Sequence, residues 1–153
     1  MIRSSPYPRV QRTRIQGYAF AIGIVFLLIG VLGFVPGLTS GYGSMALAGQ
    51  ESNAHLLGLF RVSIAHNVLH LAYGAAGILA ARGIRASRIY LIAGGAGYLA
   101  LSAFGMVLGH DSHANVVPVN AADNWLHLLL GVLLLVLAVD PRGNRPPKLP
   151  KPV

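Results

Sequence analysis

The sequence predicts an all-α protein, a four-helix transmembrane bundle made of two parallel helix–loop–helix repeats. Three observations carry that prediction. Hydrophobic residues make up 54% of the 153-residue chain and charged residues only 10%, with a mean hydropathy of +0.61, whereas soluble domains carry about 25% charged residues. Four apolar runs are each long enough to cross a bilayer. One polar phrase is written twice, as VSIAHNVLHL from Val62 and as VNAADNWLHL from Val119.

Crossing the hydrocarbon core takes about 20 mostly apolar residues in a helix. The runs are residues 16–35, closed by Pro36-Gly37, then 64–81, 88–108 and 121–139, the last closed by Asp140-Pro141. Backbone groups in lipid must bond internally, which leaves helices or a closed barrel. These runs lack alternation of period two and are rich in Leu, Ala and Gly, so they read as helices. The transmembrane domain is expected over 15–140. Residues 1–14 form a basic tail, and residues 141–153, PRGNRPPKLPKPV, form a proline-rich basic one; neither composition favours regular structure. The basic start, the apolar run and the MALA stretch ending at Ala48 loosely match a secretory signal. The apolar run is too long for one, and cleavage would remove half a repeat, so the first helix is expected to be retained.

Charge sets the direction. Arg3, Arg9, Arg12 and Arg14 precede the first run; Arg82, Arg85 and Arg88 lie between the second and third; Arg142, Arg145, Lys148 and Lys151 follow the fourth. Only Arg61 falls on the other side. By the positive-inside rule both termini are cytoplasmic, in a multi-pass membrane protein. The cations are dispersed between apolar runs rather than gathered in one patch, so no nucleic-acid partner is expected. There is no cysteine, which excludes thiol, disulfide and iron–sulfur chemistry.

The doubled phrase has a constant offset of 57 residues and six identities in ten. Ser63 and Asn120 share one repeat position, and both residue types cap helix N-termini. Asp123 stands three residues after Asn120, in the capping-box position. Asn67 with His70, and Asn124 with His127, lie within the outer leaflet, where polar side chains normally face the bundle interior. Gly74 and Gly131 follow one turn later and let a neighbouring helix come close. Ala93, Gly97, Ala96 and Ala100 of the third run are further small-residue notches.

The leading functional reading is structural. Asn67, His70, Asn124 and His127 join the helices as a polar network, in a small accessory subunit or scaffold that works as a homo-oligomer or within a larger membrane complex. No cofactor is expected on that reading. The alternative is a metal or small-ligand site at His66, His70, Asp123 and His127, whose nitrogens and oxygen suit zinc or another transition metal. His110 and His113 of the outer loop could share the ion. Paired histidines could also ligate haem. An enzyme is not expected: the chain has no activated nucleophile pattern, no phosphate-binding loop and no catalytic carboxylate pair.

The segments LFRVSIAHNVLHLAYGAAGILAA and VPVNAADNWLHLLLGVLLLVLA resemble a bacterial family of small four-helix membrane proteins, best represented in high-GC Gram-positive organisms and known as a domain of unknown function. The paired motifs around Asn67, His70, Asn124 and His127 carry the resemblance, which extends over about residues 17–139. It implies a four-helix inner-membrane protein and brings no activity with it.

Overall fold

A computed structural model describes residues 12–49, 51–108 and 119–145. Most of both expected tails lies outside the described residues, as do Pro118, His110, Asp111 and His113. The order of elements is α1 (Arg14–Leu32), β1 (Thr39–Ser40), β2 (Ala54–Leu56), β3 (Phe60–Val62), α2 (Ile64–Ala80), α3 (Ile84–Leu108) and α4 (Ala121–Ala138). The fold is a four-helix bundle, as the apolar runs predict.

Three helices, α1, α3 and α4, are long and apolar enough to cross a membrane. The second departs from the expected set of four full spans. At 17 residues, α2 rises about 26 Å, short of a hydrocarbon core about 30 Å thick. It begins where expected and ends one residue early. Ser63 caps its start, and its last carbonyls close a tight turn, with the Arg82 and Gly83 amides donating to Leu79 and Ala80. This turn lets α3 begin at Ile84, four residues before the expected start.

The glycine-rich stretch between α1 and α2 is not a plain linker. It folds into an antiparallel three-stranded sheet in the order β1-β2-β3, with Thr39 opposite Leu56 and His55 opposite Arg61. Leu57 and Gly58 turn the β2–β3 hairpin with φ values of 54° and 70°. Gly41, at φ 63°, packs so tightly on the Asn53 carbonyl that no side chain would fit there. Ala54, Leu56 and Val62 bury against Ile29 and Leu32, so the sheet caps the C-terminal end of α1.

Helix ends in this bundle are satisfied by other segments. The first four amides of a helix have no partner within it. For α2, Ile64 and Ala65 donate to Ala46 and Leu47 at 3.1 and 2.9 Å. For α1, Arg14 and Ile15 donate to Arg145 and Gly143, at 3.1 and 2.8 Å. The segment after α4 is thereby stitched to the start of α1, and Ile15 beneath it is fully buried among Ala19, Leu91, Leu134 and Ala138. The Tyr18 hydroxyl donates to Asp140 Oδ2 at 2.9 Å, and the Arg142 amide donates to Oδ1 at 2.9 Å.

The Arg142 amide first, and the Tyr18 hydroxyl second, hold Asp140 below the usual carboxylate range. A carboxylate depressed in the folded state contributes stability that is present above its unfolded pKa and lost as pH falls through the folded value. Thermal unfolding in detergent should therefore show an acid-sensitive component between about pH 5 and pH 2. Asp140→Asn should flatten it while leaving the neutral-to-alkaline response unchanged.

Candidate functional site

The closest helix contacts lie within two pairs, α1 with α2 and α3 with α4. Gly23 meets Gly74: a Cβ on Gly74 would lie 2.7 Å from the Gly23 carbonyl and 2.7 Å from the Leu27 amide. Gly95 meets Gly131, each with a hypothetical Cβ 3.0 Å from the other's carbonyl. Gly74 and Gly131 thus act as the doubled phrase predicts. The notches of α3 do not: Ala93, Ala96, Gly97 and Ala100 stay exposed, and the neighbouring Gly94 and Gly95 make the contacts instead.

About two to three turns further along, towards the end that holds the sheet, each pair is locked by an asparagine. The Asn67 carboxamide packs directly onto Gly33, and that of Asn124 onto Gly105. Ser102 adds a bond to the Asn124 carbonyl at 2.9 Å, and Asn67 Nδ2 approaches Met45 Sδ at 3.8 Å. The glycine partners were not singled out in the sequence, although the signal is there. Displacing α1 by 72 residues aligns Gly23 with Gly95, Phe26 with Tyr98, Gly30 with Ser102 and Gly33 with Gly105. The doubled phrase runs at 57, so a search at that offset misses them.

Between these locks lies a layer of rings. His66 stacks on His70 with centroids 4.5 Å apart, and His66 lies 6.3 Å from His127. Phe26 stacks on His70 at 5.3 Å and on Tyr98 at 5.5 Å, while Tyr98 lies 5.1 Å from His127. Tyr73 meets Phe26 edge-on at 4.8 Å. Aromatic pairs in such geometry add about 0.5–1.5 kcal/mol beyond the area they bury.

Hydrogen bonding in this layer differs from the expected network. Asn67, His70, Asn124 and His127 are not bonded to one another through their side chains. His70 Nδ1 bonds the His66 carbonyl at 2.9 Å, so it carries the proton, and Nε2 of the neutral ring is an acceptor. His66 Nδ1, His127 Nδ1 and Asn124 Oδ1 are buried with no hydrogen-bond partner among the described residues. An unsatisfied buried polar atom costs about 1–3 kcal/mol. His66 and His70 meet face to face, a geometry in which their ring nitrogens do not bond each other.

The capping residues sit at their helix ends. Ser63 accepts from the His66 amide at 3.1 Å. Asn120 accepts from the Asp123 amide at 2.9 Å, and Asp123 Oδ2 accepts in return from the Asn120 amide at 2.9 Å. Asp123 Oδ2 also takes the Arg61 amide of β3 at 3.1 Å, and Asn120 Nδ2 donates to the Leu59 carbonyl at 2.8 Å. These bonds tie the sheet of the first half to the last helix. Of the four residues considered as metal ligands, the structure gathers His66, His70 and His127 and places the Asp123 carboxylate in the cap. Among the described residues no three His, Cys, Asp or Glu side chains are grouped to hold a metal ion.

Gly105→Ala should destabilise the protein by about 1–3 kcal/mol, because the added methyl overlaps Asn124. Gly17→Ala, where a Cβ meets nothing, should stay within about 0.5 kcal/mol of wild type. Adding Asn124→Ala to Gly105→Ala should cost less than the sum of the two, a coupling measured by a double-mutant cycle in detergent.

No curated protein and no solved structure matches the chain. A family model does match, over residues 16–139, which takes in all four helices, the sheet and the ring layer. The chain belongs to the family described as Domain of unknown function (DUF4383).

Proposed function

We propose that the chain is a structural or accessory protein of a bacterial plasma membrane, with both termini cytoplasmic, built from two parallel copies of a helix–loop–helix unit. The observation that carries this reading is the use made of the buried asparagines. Each is seated on a glycine of the adjacent helix, Asn67 on Gly33 and Asn124 on Gly105. Polar residues spent on joining helices make a stiff frame rather than a reaction centre.

Matched geometry supports the doubling. Gly23–Gly74 corresponds to Gly95–Gly131, and Phe26–His70 at 5.3 Å to Tyr98–His127 at 5.1 Å. The Phe26–Tyr98 stack joins two equivalent residues, as expected where a pseudo-axis runs along the membrane normal. Eleven of the twelve basic residues fall on one side of the spans, which supports the orientation. A frame of this size serves a complex, either a homo-oligomer or a larger membrane assembly.

The absence of native cysteine allows a clean topology test. Ser44→Cys, outside, should react with a membrane-impermeant maleimide in intact cells, whereas Arg85→Cys should react only after lysis. Mild detergent extraction followed by native mass spectrometry should recover the chain as a multimer or with stoichiometric partners. A monodisperse lone monomer would contradict the accessory role, and the reverse labelling pattern would contradict the orientation.

A further inference from the structure

Beside the ring layer a cavity of about 370 Å³ opens between α2 and α3, unsealed on one side. One wall, from α2, carries His66, His70 and Tyr73; the other, from α3, carries Gly94, Gly97 and Tyr98. The first is a wall of flat rings. The second combines glycine backbone with the side chains of Ala93, Tyr98 and Leu101. His66 is 6% exposed, and its Nδ1 has no hydrogen-bond partner among the described residues. His70, with its proton held by the His66 carbonyl, keeps Nε2 as an acceptor.

Gly97 is the informative residue. Glycine weakens a helix interior, and in membrane helices it usually marks close packing. Here a Cβ would meet nothing within 4 Å. The residue is small where no helix in the chain needs it to be, and what it leaves open is the cavity. The matched positions of the two halves sharpen this point, and that comparison alone rests on the doubling proposed above. Where α3 has Gly97, α1 has Val25; where α2 has His66 and Tyr73, α4 has Asp123 and Leu130. Space and polar rings occur together on one side only.

We propose that this cleft binds the ring of a lipid-soluble quinone or quinol, taken up sideways from the bilayer between α2 and α3. A slot with aromatic side chains on one wall, and the Gly97 backbone beside the Tyr98 ring on the other, fits a flat ring. His70 Nε2 accepts from a ring hydroxyl, and the His66 ring supplies a second polar contact for a ring oxygen. The volume lies in the range of small-ligand pockets, enough for a substituted ring and the first part of its tail. An acyl chain alone would fill the space but use none of the polar edge that His66 and His70 bring to the α2 wall. The inference concerns binding, with no electron transfer attached.

The test uses the full chain in lipid nanodiscs free of quinone, titrated with a decyl-substituted benzoquinone and separately with its quinol. Decylbenzene serves as the control for a tail alone. Wild type should show a saturable rise in unfolding temperature with at least one of the two ring probes, as expected for a ligand that binds only the folded state, and none with decylbenzene. Gly97→Leu fills the cleft. It should unfold at the wild-type temperature without ligand and bind at least about tenfold more weakly; Ala93→Leu, from the same wall, does the same work should Gly97→Leu fail to fold. His66→Phe, which keeps the ring and removes the nitrogens, should weaken binding without closing the cleft. No saturable shift in wild type overturns the proposal, as does undiminished binding in the filled variants or an equal response to decylbenzene. A dimer cross-linked through position 97 that the ring probes do not displace also overturns it, since a second copy then occupies the cleft. The labelling pattern and the Gly105–Asn124 coupling are unaffected by any of these outcomes, so a failure here is distinct from failure of the accessory reading.

Discussion

Two helices can approach backbone to backbone only where neither interposes a side chain, and the rest of this bundle hangs on two such places. At Gly23–Gly74 and at Gly95–Gly131 a methyl group on either partner would lie 3.0 Å or less from the opposing carbonyl. In lipid, burying apolar surface contributes little to helix association, because lipid tails are as apolar as leucine. Close van der Waals contact must supply the attraction instead. Once the pairs are that close, the next turns face glycine at Gly33 and Gly105, and a carboxamide is the right size to fill the gap. The asparagines are therefore consequences of the glycine contacts as much as locks in their own right.

The second constraint is that helix ends near a membrane surface still need partners for their amides. The chain meets it by exchange between distant segments rather than by capping side chains alone. The stretch at Ala46 and Leu47 serves α2, the segment after α4 serves α1, and the Asp123 carboxylate serves both its own helix and the edge of β3. Each exchange joins parts far apart in sequence. Asp140 and Tyr18 reinforce the end of the bundle that holds the start of α1, and Asn120 with Leu59 the end that holds the sheet. Two hairpins that touch mainly within themselves become one unit through these end contacts and the central Phe26–Tyr98 stack.

Much of this was legible in the residues. The four helices follow from run length and composition, and their observed limits lie within four residues of the expected ones. Ser63, Asn120 and Asp123 were readable as caps because capping depends on residue type and a fixed spacing of three. Gly74 and Gly131 were readable because they trail the repeated histidine on one helical face. The sheet was not legible: its strands are two or three residues long, too short for alternation to register, and its hairpin turns on Leu57, a residue with no preference for positive φ. Phe26, Tyr98, Gly33 and Gly105 escaped because they obey a different offset from the phrase they serve, the α1–α2 linker being longer than the α3–α4 linker.

Sequence by itself determined the membrane setting, the number of helices, the one-sided placement of the basic residues and the capping of α2 and α4. These are properties of composition and local spacing, which add up along the chain without reference to what lies opposite. Tertiary structure decided how each buried polar group is used. His66 and His127 lie within one turn of Asn67 and Asn124, yet the asparagines lodge on glycines while the imidazoles enter the ring layer. Which of the two happens depends on the surface of the facing helix at ångström range, and that surface is set only when the helices meet.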